Sequence, residues 1–248
     1  MKTAVLFALL LIQDAIHVVP ADKVAIRRMS DVPAIDVAPG VHVRTVVGTT
    51  GSFSVGEFEP RSAAPLHHHA REQADIGISG SFDVTLGDHV ESLRPGAGFI
   101  VPPNVSHSIA NNGSEPATAI EFHTVRRPDL VPPRPAMTFP ASLEPVRLPE
   151  GRHLIAPMDS SPEAFMHGET CVLALRQIAG GTRAIEIRGG TVERFVYIVR
   201  GDLQVTAKQM RDRATAGSLI VVPAGVTITV QPVGNRAATL AEFAPALK

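Results

Sequence analysis

The amino-acid sequence predicts an all-β protein built from two β-barrels in tandem. Three observations support this: short apolar or alternating runs cover most of the chain, glycine and proline interrupt them, and helical periodicity is scarce. Glycine and proline number 20 and 21 among 248 residues, which is typical of turn-rich β architecture. The predicted strands span residues 52–58, 75–79, 82–86, 99–101, 118–122, 170–178, 194–199, 203–206, 218–222 and 226–230.

One short segment favours a helical turn instead. In residues 161–165, Ser161 has the character of an N-cap and Pro162 that of a first helical residue. We therefore expect a single capped turn there.

An internal repeat divides the chain into two copies. Turn glycines recur at a spacing of 121 residues, which separates Gly80 from Gly201 and Gly96 from Gly217, and the offset holds without a gap over residues 72–122. We predict one barrel over residues 25–127 and a second over residues 150–248. Residues 128–149 contain seven prolines and are predicted to form a stiff, extended connector.

The first 24 residues leave two interpretations open. An apolar run over residues 4–12 follows Lys2, and Val19-Pro20-Ala21 is similar to a small-residue cleavage site, which indicates a secretory signal peptide. The alternative is an extra N-terminal strand or helix packed on a barrel. The protein is secreted or periplasmic under the first interpretation and cytoplasmic under the second. The run is far shorter than the roughly 20 residues that cross a bilayer, so we expect no membrane anchor.

Composition excludes several classes of function. Lys and Arg total 23 against 24 Asp and Glu, and the formal net charge of −1 predicts no surface for nucleic acid or an anionic membrane. Cys171 is the only cysteine, which excludes intrachain disulfides and cysteine-ligated zinc or iron–sulfur sites. Ten histidines are present, so a metal site would use imidazole, carboxylate or amide ligands. The expected partner is a small-molecule substrate.

Consecutive histidines in the first copy have a spacing that suits a metal site. Alternate side chains of a strand point the same way, so His67 and His69 share a face that His68 does not. The same parity continues to Gln73 and then to Asp75.

A second segment adds another imidazole. It runs from Gly96 through Pro102 and Asn104 to His107 and has the glycine and proline spacing of a tight hairpin. Three imidazole nitrogens and one amide oxygen could converge in a barrel mouth. Such a donor set suits divalent iron, manganese, cobalt, nickel or zinc, and copper is a further option.

These two segments resemble the two motifs of the cupin family. The first motif, G-x5-H-x-H-x3/4-E-x6-G, reads here as His67-x-His69-x3-Gln73-x6-Gly80, with Arg61 in place of the opening glycine. The second, G-x5-P-x-G-x2-H-x3-N, is matched from residue 96 to residue 111, with Asn104 in place of a glycine.

The resemblance implies a bicupin, in which each barrel is a double-stranded β-helix, or jelly roll. It assigns four metal ligands, His67, His69, Gln73 and His107. Glu72 is the rival of Gln73, but its spacing from His69 is too short and we expect it on the opposite face. The remaining histidines, among them His123, lack motif support and are expected to be ordinary surface or strand residues.

The second copy has lost these ligands. The offset places Arg188, Gly190, Arg194 and Ile228 at their positions. Arginine stays protonated and isoleucine has no donor atom, so we expect one divalent transition metal per chain. We interpret the second barrel as a structural half that helps to form a homodimer. The alternative is a lid or an anion pocket built on Arg188 and Arg194.

The donor set also indicates the chemistry. Neutral ligands leave the full 2+ charge on a metal. Cupins with a similar His/His/Gln/His set include sugar-acid ring-opening enzymes, aromatic polyketide cyclases and a bicupin isomerase. We therefore predict Lewis-acid isomerase, lyase or cyclase chemistry on a small anionic or enolisable molecule, with Asp75 as the general acid or base. Two alternatives stay open: a non-haem dioxygenase of the quercetinase-like kind, and a non-catalytic binding or sensor cupin.

Overall fold

The computed structural model describes residues 18–127, 155–159, 161–208 and 210–245. The connector predicted at residues 128–149 and the apolar run at residues 4–12 lie outside these ranges. Within them, the chain is built of β-strands and a single 3₁₀ turn at Met29–Asp31. No helix in the described part of the chain is long and apolar enough to cross a membrane.

The described strands fall on either side of the connector. Those before it are β1 (Ala25–Arg28), β2 (Ile35–Ala38), β3 (Val41–Val47), β4 (Ser52–Phe58), β5 (Ser62–His67), β6 (Gln73–Ser79), β7 (Phe82–Leu86), β8 (His89–Leu93), β9 (Ala97–Val101), β10 (His107–Asn111) and β11 (Ala117–His123). Those after it are β12 (Ile155–Pro157), β13 (Glu163–His167), β14 (Cys171–Ile178), β15 (Ile185–Arg188), β16 (Arg194–Arg200), β17 (Asp202–Ala207), β18 (Met210–Thr215), β19 (Ser218–Val222), β20 (Thr227–Pro232) and β21 (Ala238–Pro245).

These strands form four sheets. Sheet A has the order β12-β9-β6-β11-β4-β3-β2, and it packs on sheet C, β5-β10-β7-β8, to form the first barrel. Sheet B, β1-β19-β16-β21-β14-β13, packs on sheet D, β15-β20-β17-β18, to form the second. The prediction of an all-β chain with two barrels is confirmed.

The two barrels exchange strands. β1 lies at the start of the first copy in sequence, yet it pairs with β19 of sheet B, with Ala25 opposite Val221. β12 lies near the start of the second copy, yet it pairs with β9 of sheet A, with Ile155 opposite Phe99. Each barrel therefore completes its larger sheet with a strand from the segment that leads into the other.

Sheets A and B also share a hydrophobic core. Phe53 stacks on Tyr197 with ring centroids 5.3 Å apart, and Phe122 lies 5.3 Å from Phe195 in the same cluster. Burying a large apolar side chain stabilises a fold by about 1.5–3 kcal/mol. The barrels are therefore held together by burial of aromatic rings as well as by strand exchange.

Because sheet A lies between two cores, its inner strand β6 is buried on both faces. On β6, Ala74 and Ile76 point into the core shared with sheet B. Gln73 and Asp75 point the other way, into a cavity of the first barrel. Because successive side chains of a strand point to opposite faces, β6 packs against the second barrel with one face and lines the cavity with the other.

Two motif positions that depart from glycine adopt left-handed backbone. Asn104 has a φ of 63°, and its repeat partner Gly225 has a φ of 70°. Arg61, which replaces the opening glycine of the first motif, has a φ of 61°. Asparagine tolerates this region more readily than arginine does, so the backbone at Arg61 is the more strained of the two.

The helical turn predicted at residues 161–165 is wrong. Residues Glu163–His167 form β13, an edge strand paired with β14 so that Phe165 lies opposite Ala174. The Ser161 hydroxyl donates to the Glu163 carbonyl at 2.6 Å instead of capping a helix. Pairing with a buried strand outweighs the local capping signal.

Candidate metal centre

Neighbouring elements of the first barrel bring the predicted ligands together. His67 ends β5 and His107 begins β10, and the pairing of these strands places the two residues opposite each other. Gln73 begins β6 in the facing sheet. His69 lies in the loop between β5 and β6, where its carbonyl accepts a hydrogen bond from the Asn104 amide at 2.7 Å. This bond joins the loop to the turn that precedes His107.

The three histidines direct ring nitrogens toward one another. The potential ligand atoms of His67, His69 and His107 all lie within 4.8 Å of one another. In each ring Nδ1 contacts a backbone carbonyl, at 2.9 Å from Pro65, 2.8 Å from Arg71 and 2.9 Å from Val105 respectively. Because a carbonyl only accepts, Nδ1 carries the proton and Nε2 keeps its lone pair. This is the tautomer that binds a metal through Nε2.

Burial keeps these imidazoles neutral. His69 and His107 are 9% and 3% exposed. Removal from water lowers the pKa of His67, lowers that of His69 to about 4, and lowers that of His107 well below its usual value. Metal binding requires the neutral form, so the site is ready for a cation at pH 7.

Two contacts show that the donor set fits a cation. Nε2 of His107 is buried without a hydrogen-bond partner among the described residues. Nε2 of His69 lies 2.8 Å from Oε1 of Gln73, although both atoms are acceptors. A buried acceptor without a donor costs free energy, and a divalent cation would satisfy all of these atoms together.

Two carboxyl groups fix the orientation of the Gln73 amide. Its nitrogen donates to the Asp75 oxygens at 3.2 and 3.0 Å, and to Glu121 Oε2 at 3.5 Å, so its oxygen faces His69. Burial, followed by the negative charge of Glu121, raises the pKa of Asp75 well above its usual value. Burial opposes ionisation of Glu121 too, but the charge and hydrogen bond of His123 outweigh it and lower the pKa of Glu121 to about 2.

His123 belongs to this group, although the sequence analysis did not select it. It is 1% exposed, lies opposite Gln73 in the pairing of β11 with β6, and hydrogen-bonds Glu121. Arg71 Nε donates to its Nδ1 at 3.3 Å, and Arg127 Nη1 lies 3.3 Å from its Nε2. The available signal was the alternation on β11, which places residues 121 and 123 on one face.

The site opens into a cavity of about 400 Å³, here called the site cavity. The three histidines, Gln73, Asp75 and Glu121 line its polar end. Val41, Val43, Phe58 and Ile109 are among the residues that form its apolar wall. Arg71, Arg126 and Arg127 also line it.

Of the two neighbours of the proposed ligands, Glu72 takes the position that strand parity predicts, whereas His68 also lines the site cavity. His68 is exposed. Glu72 is 2% exposed and faces sheet B, where its carboxylate accepts hydrogen bonds from the Glu169 and Thr170 amides at 2.8 Å. Glu72 is therefore turned away from the histidines.

The equivalent positions of the second barrel hold no comparable donor set. Arg194 occupies the place of Gln73 and pairs with Glu242 at 2.8 Å. The Arg188 side chain is 73% exposed and pairs with Glu186 at 2.8 Å. Both arginines therefore already have a carboxylate partner, and a lid or an anion pocket built on them stays a prediction. Ile228 is fully buried in the core of this barrel.

Comparison with protein families and curated sequences gives two matches. Residues 54–123 match the Cupin domain family. Over 90 residues the chain is 32% identical to Protein SchB of Streptomyces halstedii, a match that covers 35% of this chain. The chain spans 64% of the length of that curated relative.

Solved structures share the architecture of nearly the whole chain. The crystal structure of AerE from Microcystis aeruginosa is similar with a TM-score of 0.66 at 16% identity, covering 87% of this chain and 97% of that one. Oxalate decarboxylase from Bacillus subtilis at pH 4.6 is similar with a TM-score of 0.68 at 16% identity, covering 88% and 75%. At this level of identity the likeness shows the fold.

Proposed function

Because the chain belongs to the cupin superfamily and is a bicupin, we propose that it is a metal-dependent enzyme acting on a small anionic or enolisable molecule by Lewis-acid isomerase, lyase or cyclase chemistry. The observation that carries this proposal is the uncharged donor set. His67, His69, Gln73 and His107 would hold one divalent transition metal. Such a metal, when bound, would supply an undiminished 2+ charge that polarises a carbonyl or stabilises an enolate.

Basic side chains at the site cavity support an anionic substrate. Arg71, Arg126 and Arg127 line the same cavity as the histidines. A guanidinium binds carboxylate and enolate oxygens through charge-assisted hydrogen bonds, and it remains charged at all physiological pH values. The similarity to oxalate decarboxylase, named for a small dicarboxylate, is in line with an acidic substrate.

The apolar wall supports a substrate that also has a hydrophobic part. Val41, Val43, Phe58 and Ile109 face the cavity, whose volume of about 400 Å³ falls in the usual range for small-molecule sites. We therefore favour a substrate with an acidic end at the histidines and arginines and an apolar body against this wall.

Two carboxyl groups are the candidates for proton transfer. Asp75 and Glu121 lie directly opposite each other in the pairing of β6 with β11, and both line the cavity. We propose Asp75 as the general acid or base. Glu121, whose side chain is 29% exposed, and its partner His123 would pass a proton between the cavity and its mouth.

Turnover without oxygen is the experiment that tests this function. Protein loaded with Co(II), Ni(II) or Zn(II) would be incubated with 2-oxo acids, enolisable keto acids and phenolic acids, under nitrogen and in air. We expect equal conversion under both atmospheres, retained with zinc, as followed by mass spectrometry. Conversion only in air and lost with zinc would overturn the proposal in favour of a dioxygenase. Binding without conversion in either atmosphere would overturn it in favour of a binding module.

A further inference from the structure

Two glutamates form equivalent hydrogen-bonded contacts between the barrels. Each contact, here called a clasp, consists of the glutamate of one barrel and the turn of the other barrel that donates to it. Glu72 and Glu193 are 121 residues apart and are 2% and 3% exposed. Each lies at the start of the equivalent strand of its barrel, on the face that packs against the other barrel. Each carboxylate accepts hydrogen bonds from a turn of the opposite barrel.

The first clasp joins Glu72 to the turn at residues 168–170. Its Oε1 accepts from the Glu169 amide at 2.8 Å, and its Oε2 accepts from the Thr170 amide at 2.8 Å and the Thr170 hydroxyl at 2.9 Å. The Thr170 hydroxyl also lies 3.4 Å from that of Thr124. Thr124 in turn contacts the backbone carbonyl of Glu72 at 3.5 Å.

In the second clasp the glutamate belongs to the second barrel and the turn, at residues 49–51, to the first. Glu193 Oε2 accepts from the amide and hydroxyl of Thr49 at 2.8 and 2.7 Å. Its Oε1 accepts from the amides of Thr50 and Gly51 at 2.7 and 3.0 Å. Thr49 and Thr170 are themselves 121 residues apart, so the two clasps are related by the internal repeat.

The clasps differ in what lies next to them. Glu72 directly precedes Gln73, and Thr124 directly follows His123. Gln73 and His123 are opposite each other in the pairing of β6 with β11. Glu193 precedes Arg194, which pairs with Glu242 and offers no metal ligand. The first clasp therefore holds the end of the strand pair that carries the site, whereas the second holds a barrel without one.

We propose that Glu72 is a positioning residue through which the 168–170 turn of the second barrel sets the place of Gln73, and hence the geometry of the metal site. This inference rests on the proposed metal site of the first barrel. Replacing the carboxylate by an amide places an N–H group against one of the N–H donors of the turn. The start of β6 must then shift or lose a contact, and Gln73 moves with it. Partners of this indirect kind typically contribute about 10–100-fold to metal affinity.

The internal repeat supplies a matched control for the test. Glu72→Gln and Glu193→Gln remove similarly buried carboxylates with similar partners, but only the first lies beside a proposed ligand. Co(II) affinity, the visible absorption spectrum of the bound cobalt, and the melting temperature of the metal-free protein would be measured for the full-length chain and both variants. We expect similar losses of melting temperature, but a dissociation constant for cobalt raised about 10–100-fold and an altered spectrum only in Glu72→Gln.

Milder variants decide the question if the glutamine variants do not fold. Thr170→Val and its repeat partner Thr49→Val each remove one hydroxyl donor and keep the backbone amide. We expect weaker cobalt binding in Thr170→Val and unchanged binding in Thr49→Val. Equal affinity and spectra within either matched pair would overturn the role of Glu72. Failure of the unmodified protein to bind cobalt would instead overturn the metal site itself, and with it the proposed function.

Discussion

The side-chain oxygen of Gln73 lies 2.8 Å from Nε2 of His69, and both atoms are hydrogen-bond acceptors. The Nδ1–H group of His69 donates a hydrogen bond to the Arg71 carbonyl. Gln73 directs its amide nitrogen to Asp75. Two acceptors at hydrogen-bond distance repel each other unless a cation lies near both, so this contact is the clearest local sign of a metal site.

The neutrality of Gln73 is tested by the variant Gln73→Glu. The change adds a carboxylate beside Asp75 and Glu121. It also removes the amide N–H group from which both of these carboxyl groups accept hydrogen bonds. We expect the metal-free variant to lose about 1–3 kcal/mol of unfolding free energy, the usual cost of leaving buried polar groups unpaired. We also expect divalent cobalt to restore more stability in the variant than in the unmodified protein. Thermal unfolding with and without cobalt measures both, and a metal-free variant as stable as the original would contradict this reading of the site.

Variants of Asp75 separate its role in proton transfer from its role in orienting the Gln73 amide. Asn keeps one acceptor for the Gln73 amide, so we expect Asp75→Asn to retain the metal and lose about 10²–10⁴-fold in turnover, as for a general acid or base. Ala removes both acceptors, so we expect Asp75→Ala to weaken metal binding too. Metal content and turnover would be measured for both variants and the unmodified protein, with a substrate identified in the oxygen-free screen. Unchanged turnover in Asp75→Asn would remove the proton-transfer role and leave the metal site intact.

The metal-free protein is predicted to lose stability in mild acid. Burial lowers the pKa values of His67, His69 and His107, so as the pH falls below about 6.5 the unfolded chain takes up protons that the folded chain does not. The free energy of unfolding should therefore fall between pH 6.5 and about 4, the pKa of His69. The raised pKa values of Asp75 and His42 act in the opposite direction. As the pH falls, His42 gains its stabilisation above pH 6.5, so below that pH one carboxyl group opposes three imidazoles.

Urea unfolding of the metal-free protein at pH 7, 6 and 5 measures this dependence. The midpoint should decrease with pH, and the decrease should be smaller in His107→Gln, which lacks one of the three imidazoles. His68→Ala, at an exposed position, should keep the full dependence. A midpoint that stays constant or rises toward pH 5 would contradict the prediction that proton uptake by the unfolded histidines dominates in this range.

The core between the barrels is predicted to be essential for stability. Phe243 is fully buried between sheets A and B, whereas Phe165 is 51% exposed on an edge strand. We expect Phe243→Ala to cost about 3–5 kcal/mol of unfolding free energy, the usual range for a buried phenylalanine. Phe165→Ala should change it by about 0.5 kcal/mol or less. Chemical denaturation compares the two, and equal effects would contradict a shared core.

Local signals in the sequence were sufficient for the fold class and for the proximity of the ligand candidates. The glycine and proline turns and the alternation from His67 to Gln73 are properties of short segments, and the repeat of 121 residues is visible by direct comparison of the two halves. Strand parity also placed Glu72 on the face opposite Gln73, where it lies against the second barrel. Such features depend on backbone geometry that a few residues determine.

Features that depend on pairing between distant strands were not predictable in this way. His123 reaches the site because β11 pairs with β6, fifty residues earlier in the chain. The exchange of β1 and β12 depends on packing of whole sheets. At residues 161–165 the capping signal was real, but pairing with β14 decided the structure.

Metal content of the purified protein tests the central claim most directly. The account predicts about one divalent transition metal per chain by elemental analysis, near-complete loss in His107→Ala, and retention in His68→Ala. Two metals per chain would contradict the loss of the site in the second barrel. Full metal content in His107→Ala would contradict the site of His67, His69, Gln73 and His107 from which the proposed function follows.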